Sequence, residues 1–295
     1  MQSDIWYVLL CIYKKWSDLP IGIQEQPESP HHIWWCVTGP LAFLPIHAAG
    51  VYRETGSVCI SDFAISSYIP SISTLLDHSK KIPEEAPPRI LLISQAKAPD
   101  MPLILGVNEE TAKLQKLMEG HGLNVQRLSG EDATVGNVIK EMTSCHWVHL
   151  ACHATQNHLP PLRSAFHLLD YRLSLSDIIK LKFPDADLAF LSACQTSAGD
   201  KDLSDEAVHL AAGMLAAGYR SVVSTMWSIR DSYGADVAES FYSHLLNRAE
   251  EEGKPWPDST GAAHAIHHAT QQLRKRLGDG EKSLLIWVPY VHFGI

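Results

Sequence analysis

The stretch LAFLSACQTSA, residues Leu188–Ala198, begins as an apolar run and stops abruptly at a cysteine followed by small polar residues. A short apolar run with such a boundary is typical of a strand that is buried on both faces of a sheet. Similar runs recur on either side of it, and amphipathic stretches of helical periodicity separate them. This alternation predicts an α/β fold, in which a mainly parallel sheet is covered by helices on both faces.

The predicted elements follow from this pattern. Buried strands are predicted at Arg89–Ser94, Asn124–Leu128, Trp147–Cys152, Leu188–Ala193 and Ser221–Trp227. Helices are predicted at Gly106–Gly122, Ala133–Cys145, Ser174–Lys182, Asp205–Gly218, Ser232–Arg248 and Thr260–Leu277. In the N-terminal part we predict a helix over Ile5–Leu19, strands at Ile33–Val37 and Ser57–Ser61, and the entry to a helix over Ser67–Leu76. The final stretch, Leu284–Gly294, is predicted to be a short edge strand because a proline interrupts it.

The segment KIPEEAPP, Lys81–Pro88, is the clearest internal boundary. Clustered prolines and charges continue neither a helix nor a central strand. We therefore predict two parts: residues 1–85, with an N-terminal helix and a small strand-containing region, and residues 86–295, which form the core.

Composition narrows the class of protein. The chain has 24 Lys and Arg against 33 Asp and Glu, a net charge of -9, and no basic cluster beyond Arg274–Arg276, so we expect no nucleic-acid partner. Its six cysteines are scattered, which favours reduced thiols and a cytoplasmic location. The N-terminal apolar run IWYVLLCIY is far shorter than the ~20 residues that span a bilayer, so we expect no membrane segment.

Reactive side chains follow two of the predicted strands. His153 comes directly after WVHLAC, and Cys194 comes directly after LAFLSA. Consecutive parallel strands are neighbours about two-thirds of the time. The imidazole and the thiol are then expected side by side at the carboxyl edge of the sheet, where ligands of such folds bind.

A cysteine and a histidine in this position suit nucleophilic catalysis. The imidazole takes the thiol proton during attack and returns it to the leaving amine. The developing oxyanion needs donors that are already in place, and the backbone N–H groups of Ala154 and Cys194 are the candidates. This chemistry requires neither a metal nor an organic cofactor.

Other interpretations of these residues stay open. From its spacing alone, Cys194 fits a buried thiol that closes a strand better than a nucleophile, because cysteine is among the most buried residue types. Cys152 is expected to face a helix layer, and His149 to be a hydrogen-bonded core histidine. A zinc site formed by these two residues and His153 is disfavoured, since four ligands at characteristic spacing are missing. A serine hydrolase is disfavoured because the sequence lacks a G-x-S-x-G elbow.

Several blocks of the sequence, in this order, resemble the CHAT domain, a caspase-like and separase-like cysteine peptidase domain that is often attached to tetratricopeptide repeats. They are IWWCVTGPLAFLPIHAAGVY, SYIPSISTL, WVHLACHATQ, LAFLSACQTSAGD, DEAVHLAAGMLAAGYRSVVSTMWSIRD and WVPYVHFG. The similarity is strongest to fungal members and covers nearly the whole chain. It implies a caspase-hemoglobinase-like three-layer sandwich, with His153 and Cys194 as the catalytic dyad. Ala154 departs from the pattern, because caspase-like enzymes usually carry glycine there.

The resemblance also indicates where a substrate pocket lies. Relatives build the pocket for the residue before the scissile bond from two loops that correspond here to Gly199–Glu206 and Trp227–Asp231. Trp227, Asp231, Asp205 and Glu206 are the candidate pocket residues. The acidic side chains suit a basic substrate residue. They are also what the N-terminus of a helix favours, so the two interpretations compete.

Two functions of different class follow from these patterns. The first is a cysteine endopeptidase that acts on a protein or peptide. The resemblance implies that it is regulated or latent until a partner or a cleavage arranges its active-site loops. The second is a signalling or scaffold module that keeps the peptidase fold without the activity. Since Met1 lies close to the predicted domain edge, any repeat-containing sensor is expected on another chain or on a removed segment.

Overall fold

The computed structural model describes residues 30–53, 56–77, 86–155, 164–192, 206–227 and 231–295. Its strands are β1 (His31–Trp35), β2 (Gly50–Val51), β3 (Val58–Cys59), β4 (Ala64–Tyr68), β5 (Arg89–Ser94), β6 (Asn124–Ser129), β7 (Trp147–Ala151), β8 (His153–Thr155), β9 (Ala165–His167), β10 (Arg172–Ser174), β11 (Leu188–Leu191), β12 (Ser221–Thr225) and β13 (Tyr290–Gly294). Its α-helices are α1 (Ile72–Asp77), α2 (Val107–Gly120), α3 (Val135–Met142), α4 (Leu175–Leu181), α5 (Glu206–Ala217), α6 (Asp231–Glu251), α7 (Ala262–Leu277) and α8 (Glu281–Trp287).

Eight strands form the central sheet, in the order β1-β4-β13-β12-β11-β7-β5-β6. Neighbouring strands are parallel at every junction except one, where β12 and β13 are antiparallel. The sheet therefore consists of five strands in one direction and three in the other. Two small antiparallel sheets, β10-β9-β8 and β2-β3, lie outside it.

Alternate side chains of each central strand enter two different hydrophobic cores. In β5, Leu91 and Ile93 pack in a core with residues of α3, α4 and α5, whereas Ile90 and Leu92 pack in a core with residues of α2, α6, α7 and α8. Such strands are apolar at successive positions because both faces are covered. The result is an α/β fold of three layers with a mainly parallel sheet in the middle, as the sequence predicts.

The predicted strands and helices of the core agree with the structure within a few residues. The helix that begins at Ser174 is capped by that residue, whose side chain accepts a hydrogen bond from Asp177 N. Gly218, directly after α5, has a φ of 119°, in the left-handed range that its position after a helix favours. The predicted helix over Ile5–Leu19 lies outside the described residues.

The prediction for the last strand is wrong. β13 lies inside the sheet, between β12 and β4, and all five of its residues are buried. Pro289 comes immediately before this strand and therefore interrupts no hydrogen bond of its ladder. The preceding residues Glu281–Trp287 form the helix α8, which the prediction also missed.

The region before the predicted boundary contributes to the same sheet. β1 and β4 both belong to it, and β4 pairs with β13 at the far end of the sequence. The sequence pattern does not predict β4. It places Ser67 and Tyr68 at the entry of a helix, whereas in the structure both residues belong to β4 and the helix begins at Ile72. No helix in the described ranges has the length and apolar content needed to span a membrane.

Candidate active site

The strands that precede the two predicted catalytic residues are adjacent in the sheet. β7 and β11 are parallel, and Leu150 pairs with Leu191 at their carboxyl ends. His153 follows Leu150 by three residues, and Cys194 follows Leu191 by three residues. Cys194 itself lies outside the described residues. The register thus brings the two chain segments to the same edge of the sheet at the same height.

His153 is held by the backbone of a neighbouring loop. His153 is fully buried, and its Nε2 atom lies 2.6 Å from the carbonyl oxygen of Pro102. A carbonyl only accepts hydrogen bonds, so Nε2 carries the proton and donates it to Pro102. In the neutral imidazole the lone pair is then on Nδ1, which is the tautomer that accepts a proton at the other side of the ring.

The loop that carries Pro102 is fixed against the end of β7. Gln95 N donates to Ala151 O at 3.0 Å, and Ile104 N donates to Ala96 O at 2.9 Å. The Ile104 side chain is buried in a small core with Val107 and Ala151. Sequence reasoning missed the role of Pro102, because a backbone carbonyl is present at every position and leaves no signature in the sequence.

A second histidine lies across the ladder from His153. His167 pairs with His153 in the antiparallel sheet of β8 and β9, and its Nε2 lies 2.8 Å from Thr155 Oγ1. Burial, followed by the proximity of His153 and Arg172, lowers the pKa of His167 below its usual value. His167 is therefore neutral at pH 7 and adds no positive charge beside His153.

Ala154, a candidate oxyanion donor, lies in regular strand structure. It pairs with Phe166 in β8 and β9 and is almost fully buried. Among the described residues, the non-glycine positions with positive φ are Asp100 and Lys182. The backbone at Ala154 thus has a conformation that any residue adopts, so the usual glycine is not required there.

The two other candidate residues near His153, Cys152 and His149, are both buried in the core of the fold. Cys152 is fully buried, and burial raises the pKa of its thiol to about 12, which makes it a poor nucleophile at neutral pH. His149 is also fully buried; its Nε2 lies 2.9 Å from Glu110 Oε1, and its ring stacks on Phe190. The interpretation of His149 as a hydrogen-bonded core residue is confirmed.

The predicted pocket residues are described only in part. Trp227 lies two residues past the end of β12, the strand next to β11, and its Nε1 donates to Leu285 O at 3.1 Å. Glu206 and Asp231 are the first residues of α5 and α6. Their side chains, and the whole of Asp205, lie outside the described part of the chain. For these carboxylates the two interpretations, binding of a basic substrate residue and stabilisation of a helix N-terminus, therefore both stay predictions.

Comparison with known families decides the classification. The family model of the CHAT domain matches residues 12–295. The chain belongs to the CHAT domain family. No curated protein matched the sequence at a significant level.

The fold of this CHAT domain is similar to that of two kinds of solved peptidase structure. One is the Arg-specific cysteine proteinase gingipain R, with a TM-score of 0.56 and 12% identity over 100% of this chain and 67% of that chain. The other is separase in the separase–securin complex of Saccharomyces cerevisiae, with a TM-score of 0.56 and 13% identity over 91% of this chain but 16% of that chain. A complex of the pro- and mature domains of Porphyromonas gingivalis RgpB matches with a TM-score of 0.52 and 12% identity, over 100% of this chain and 69% of that chain. Because these sequence identities are low, the likeness shows the fold alone, which is a caspase-like peptidase fold.

Proposed function

We propose that this CHAT domain is a cysteine endopeptidase, with Cys194 as nucleophile and His153 as general base and acid. The observation that supports the dyad is the register of β7 and β11. Because Leu150 pairs with Leu191, the segments that lead to His153 and Cys194 leave the sheet at neighbouring points. Both residues match the family's motifs in order and type.

The proposed reaction proceeds through a thioester. Nδ1 of His153 takes the proton of the Cys194 thiol, and the thiolate attacks the carbonyl carbon of the scissile peptide bond. The backbone N–H groups of Ala154 and Cys194 stabilise the oxyanion. The protonated imidazole gives its proton to the leaving amine as the C–N bond breaks. Water then attacks the thioester, His153 takes a proton from it, and the Cys194 thiol is regenerated as the acid product leaves.

The Pro102 carbonyl supports both stages of this reaction. It holds the His153 ring in one orientation through the 2.6 Å hydrogen bond to Nε2. It also faces the imidazolium with its negative end while His153 carries the extra proton, which stabilises the charged form. In this proposal the carbonyl is a positioning group that acts through His153.

For the substrate we propose a basic residue before the scissile bond. In this proposal the negative charge comes from Asp205, Glu206 and Asp231, of which the last two are the first residues of α5 and α6, and Trp227 supplies an apolar wall. The fold is shared with gingipain R, which is described as Arg-specific. A peptide library is expected to show faster cleavage after Arg or Lys, and Asp231→Asn is expected to weaken that preference. Cleavage that is indifferent to the residue at this position argues against an acidic pocket.

A latent state is a second candidate, and one observation favours it. The His153 residue has 0% exposure, so a substrate does not reach the imidazole in this conformation. We infer that an activating partner, of which a tetratricopeptide-repeat sensor is the type the family suggests, rearranges the surrounding loops. A scaffold function without catalysis is the competing outcome.

A thiol-reactive peptide probe separates these functions. The peptidase predicts preferential labelling of Cys194 over the other five cysteines, located by mass spectrometry, and loss of that labelling in His153→Ala. Cys36→Ser is the matched control, because Cys36 is an exposed thiol of the described chain and should not affect the rate at Cys194. Uniform slow labelling of all thiols, or peptide cleavage that persists in Cys194→Ala, contradicts the proposed dyad.

A further inference from the structure

A chain of hydrogen-bonded polar side chains, the relay, crosses the four adjacent strands β1, β4, β13 and β12 of the sheet. It contains one side chain from each strand: His32 of β1, Ser67 of β4, His292 of β13 and Ser221 of β12. His32 Nε2 lies 2.6 Å from Ser67 Oγ, Ser67 Oγ lies 2.6 Å from His292 Nδ1, and His292 Nε2 lies 3.0 Å from Ser221 Oγ. All three distances are within hydrogen-bonding range.

The end of the relay fixes the direction of every hydrogen bond in it. Ser221 Oγ donates to Ile295 O at 2.8 Å, so its proton is used and it accepts from His292 Nε2. A neutral His292 then accepts at Nδ1 from Ser67 Oγ, and Ser67 in turn accepts from His32 Nε2. With both imidazoles neutral, each relay hydroxyl donates one hydrogen bond and accepts one.

The relay crosses the shortest junction of the sheet. β4 pairs with β13 only at Ser67 with His292 and at Tyr68 with Phe293, whereas β12 pairs with β13 along all five residues. The region that leads into β4, with the first residue of that strand, also has a separate small core, formed by Ile46, Ala49, Ile60 and Ala64. Side-chain hydrogen bonds therefore supplement a short backbone ladder where the N-terminal strands join the rest.

The surroundings of His292 disfavour a positive charge. His32 of β1 and His264 of α7 act on its charge, and the cavity that His292 lines is also lined by Tyr290 of β13, His267 of α7 and His47 of the turn Ile46–Ala48. The charges of Arg248 and Glu252 act on His264. The carboxylate of Asp187 accepts a hydrogen bond from Ser259 N, and the carbonyl oxygen of Ser259 lies 3.4 Å from Ser221 Oγ. The two charged groups that act on the His292 ring, His32 and His264, are both histidines. Burial, followed by His32 and His264, lowers the pKa of His292 to about 3.

We propose that this relay is an acid-sensitive latch, which holds β1 and β4 against the core sheet while its histidines are neutral and releases them on proton uptake. A proton that binds at Nδ1 of the half-buried His32 moves the Nε2 proton to Ser67 and the Ser67 proton to His292 Nδ1. All three hydrogen bonds persist, the two at Ser67 with reversed direction and the one from His292 Nε2 to Ser221 unchanged. His292 then carries a buried positive charge, and the charged groups that act on it are the histidines His32 and His264. Opening the junction hydrates that charge.

Amide hydrogen exchange of the full chain tests the latch without requiring enzymatic activity. Protection factors, corrected for the intrinsic pH dependence of exchange, are measured in β1 and β4 and compared with those in β7 and β11. Each proton taken up on opening raises the opening constant about tenfold per pH unit below about pH 6.5. We expect β1 and β4 to lose about tenfold to hundredfold of protection per pH unit, and to stay less protected than β7 and β11 at every pH, because they open without unfolding of the core.

Two variants and one control make the result specific. His32→Gln lies on the edge strand and is expected to reduce the pH slope by one proton, as is His292→Gln if that variant folds. His244→Gln is the control, because His244 also has a pKa lowered to about 4 by burial but lies on α6, outside the relay. Three results overturn the proposal: pH-independent protection of β1 and β4, an unchanged slope in His32→Gln, or protection of β1 and β4 equal to that of β7 and β11 at every pH.

Discussion

The imidazole of His153 donates a hydrogen bond from Nε2 to the backbone carbonyl of Pro102, across 2.6 Å. The bond joins the loop after β5, the neighbour of β7 in the sheet, to the first residue of β8, which follows β7 in the chain. It fixes the tautomer and the orientation of the proposed general base. The stability of that loop is therefore expected to control the reactivity of Cys194.

Truncation of Ile104 should weaken this support. Ile104 is 4% exposed and packs on Val107 and Ala151, so Ile104→Ala is expected to cost about 2 kcal/mol or more of unfolding free energy. Release of the loop is expected to slow probe labelling of Cys194 by about tenfold or more, because small misplacements of a catalytic group have large effects. Leu103→Ala, at a residue 60% exposed, is the matched control and should change stability by less than about 0.5 kcal/mol. Equal labelling rates in both variants would show that the Pro102 contact is dispensable.

The buried pair of Glu110 and His149 predicts a large difference between two adjacent carboxylates. Glu110→Ala leaves a buried imidazole without its partner at 2.9 Å, and we expect a loss of about 3 kcal/mol or more in urea unfolding. Glu109→Ala removes only an exposed pair with Lys113 at 3.1 Å, and should cost less than about 0.5 kcal/mol. Similar losses in the two variants contradict the structural role given to His149.

Restoring the usual glycine at position 154 should bring no gain in rate. Because Ala154 has a negative φ in a regular ladder, Ala154→Gly keeps the backbone N–H and adds only flexibility. We expect an unchanged labelling rate at Cys194 and a loss of about 0.5–1 kcal/mol of stability, measured by thermal unfolding. A marked acceleration in the glycine variant would mean that the active conformation needs a backbone geometry that alanine resists.

Stability is expected to fall on acidification through His47. Burial lowers its pKa from 6.5 to about 4, and its Nε2 donates to Val288 O while Nδ1 accepts from Tyr68 Oη. In the unfolded state the imidazole of His47 binds a proton below about pH 6.5, whereas in the folded state it binds one only below about pH 4. The free energy of unfolding therefore declines as the pH falls from about 6.5 to about 4. The decline amounts to about 3 kcal/mol over the whole window. Urea titrations at a series of pH values should show a smaller slope for His47→Gln, and an identical slope would contradict this assignment.

The sequence is informative where the signal is local, and uninformative where distant segments meet. The strands around Leu188–Leu191 are predictable, because each is a short apolar run between turn signals. The position of β13 in the sheet is not predictable from the sequence. Pro289 breaks the local pattern in the same way whether the strand that follows it lies at an edge of the sheet or in its interior. The relay from His32 to Ser221 is also invisible, because its side chains come from four separate strands.

The candidate site shows the same division. Two strand ends with reactive residues predict that His153 and Cys194 approach each other, and the pairing of Leu150 with Leu191 agrees with that neighbourhood. The Pro102 carbonyl and the facing His167 come from chain segments whose approach depends on the whole fold. The acidic pocket rests on side chains outside the described residues and stays a prediction.

The interior position of β13 has a consequence for synthesis on the ribosome. Ser67 and its partner His292 are 225 residues apart in the chain, so β4 emerges long before the strand that joins it to the sheet. Until then the hydrogen-bonding edge of β4 is open to chaperones or to pairing with other nascent chains. Completion of the sheet thus waits for the last strand to be translated, and a ribosome that stalls earlier releases a chain whose N-terminal strands have no docking partner.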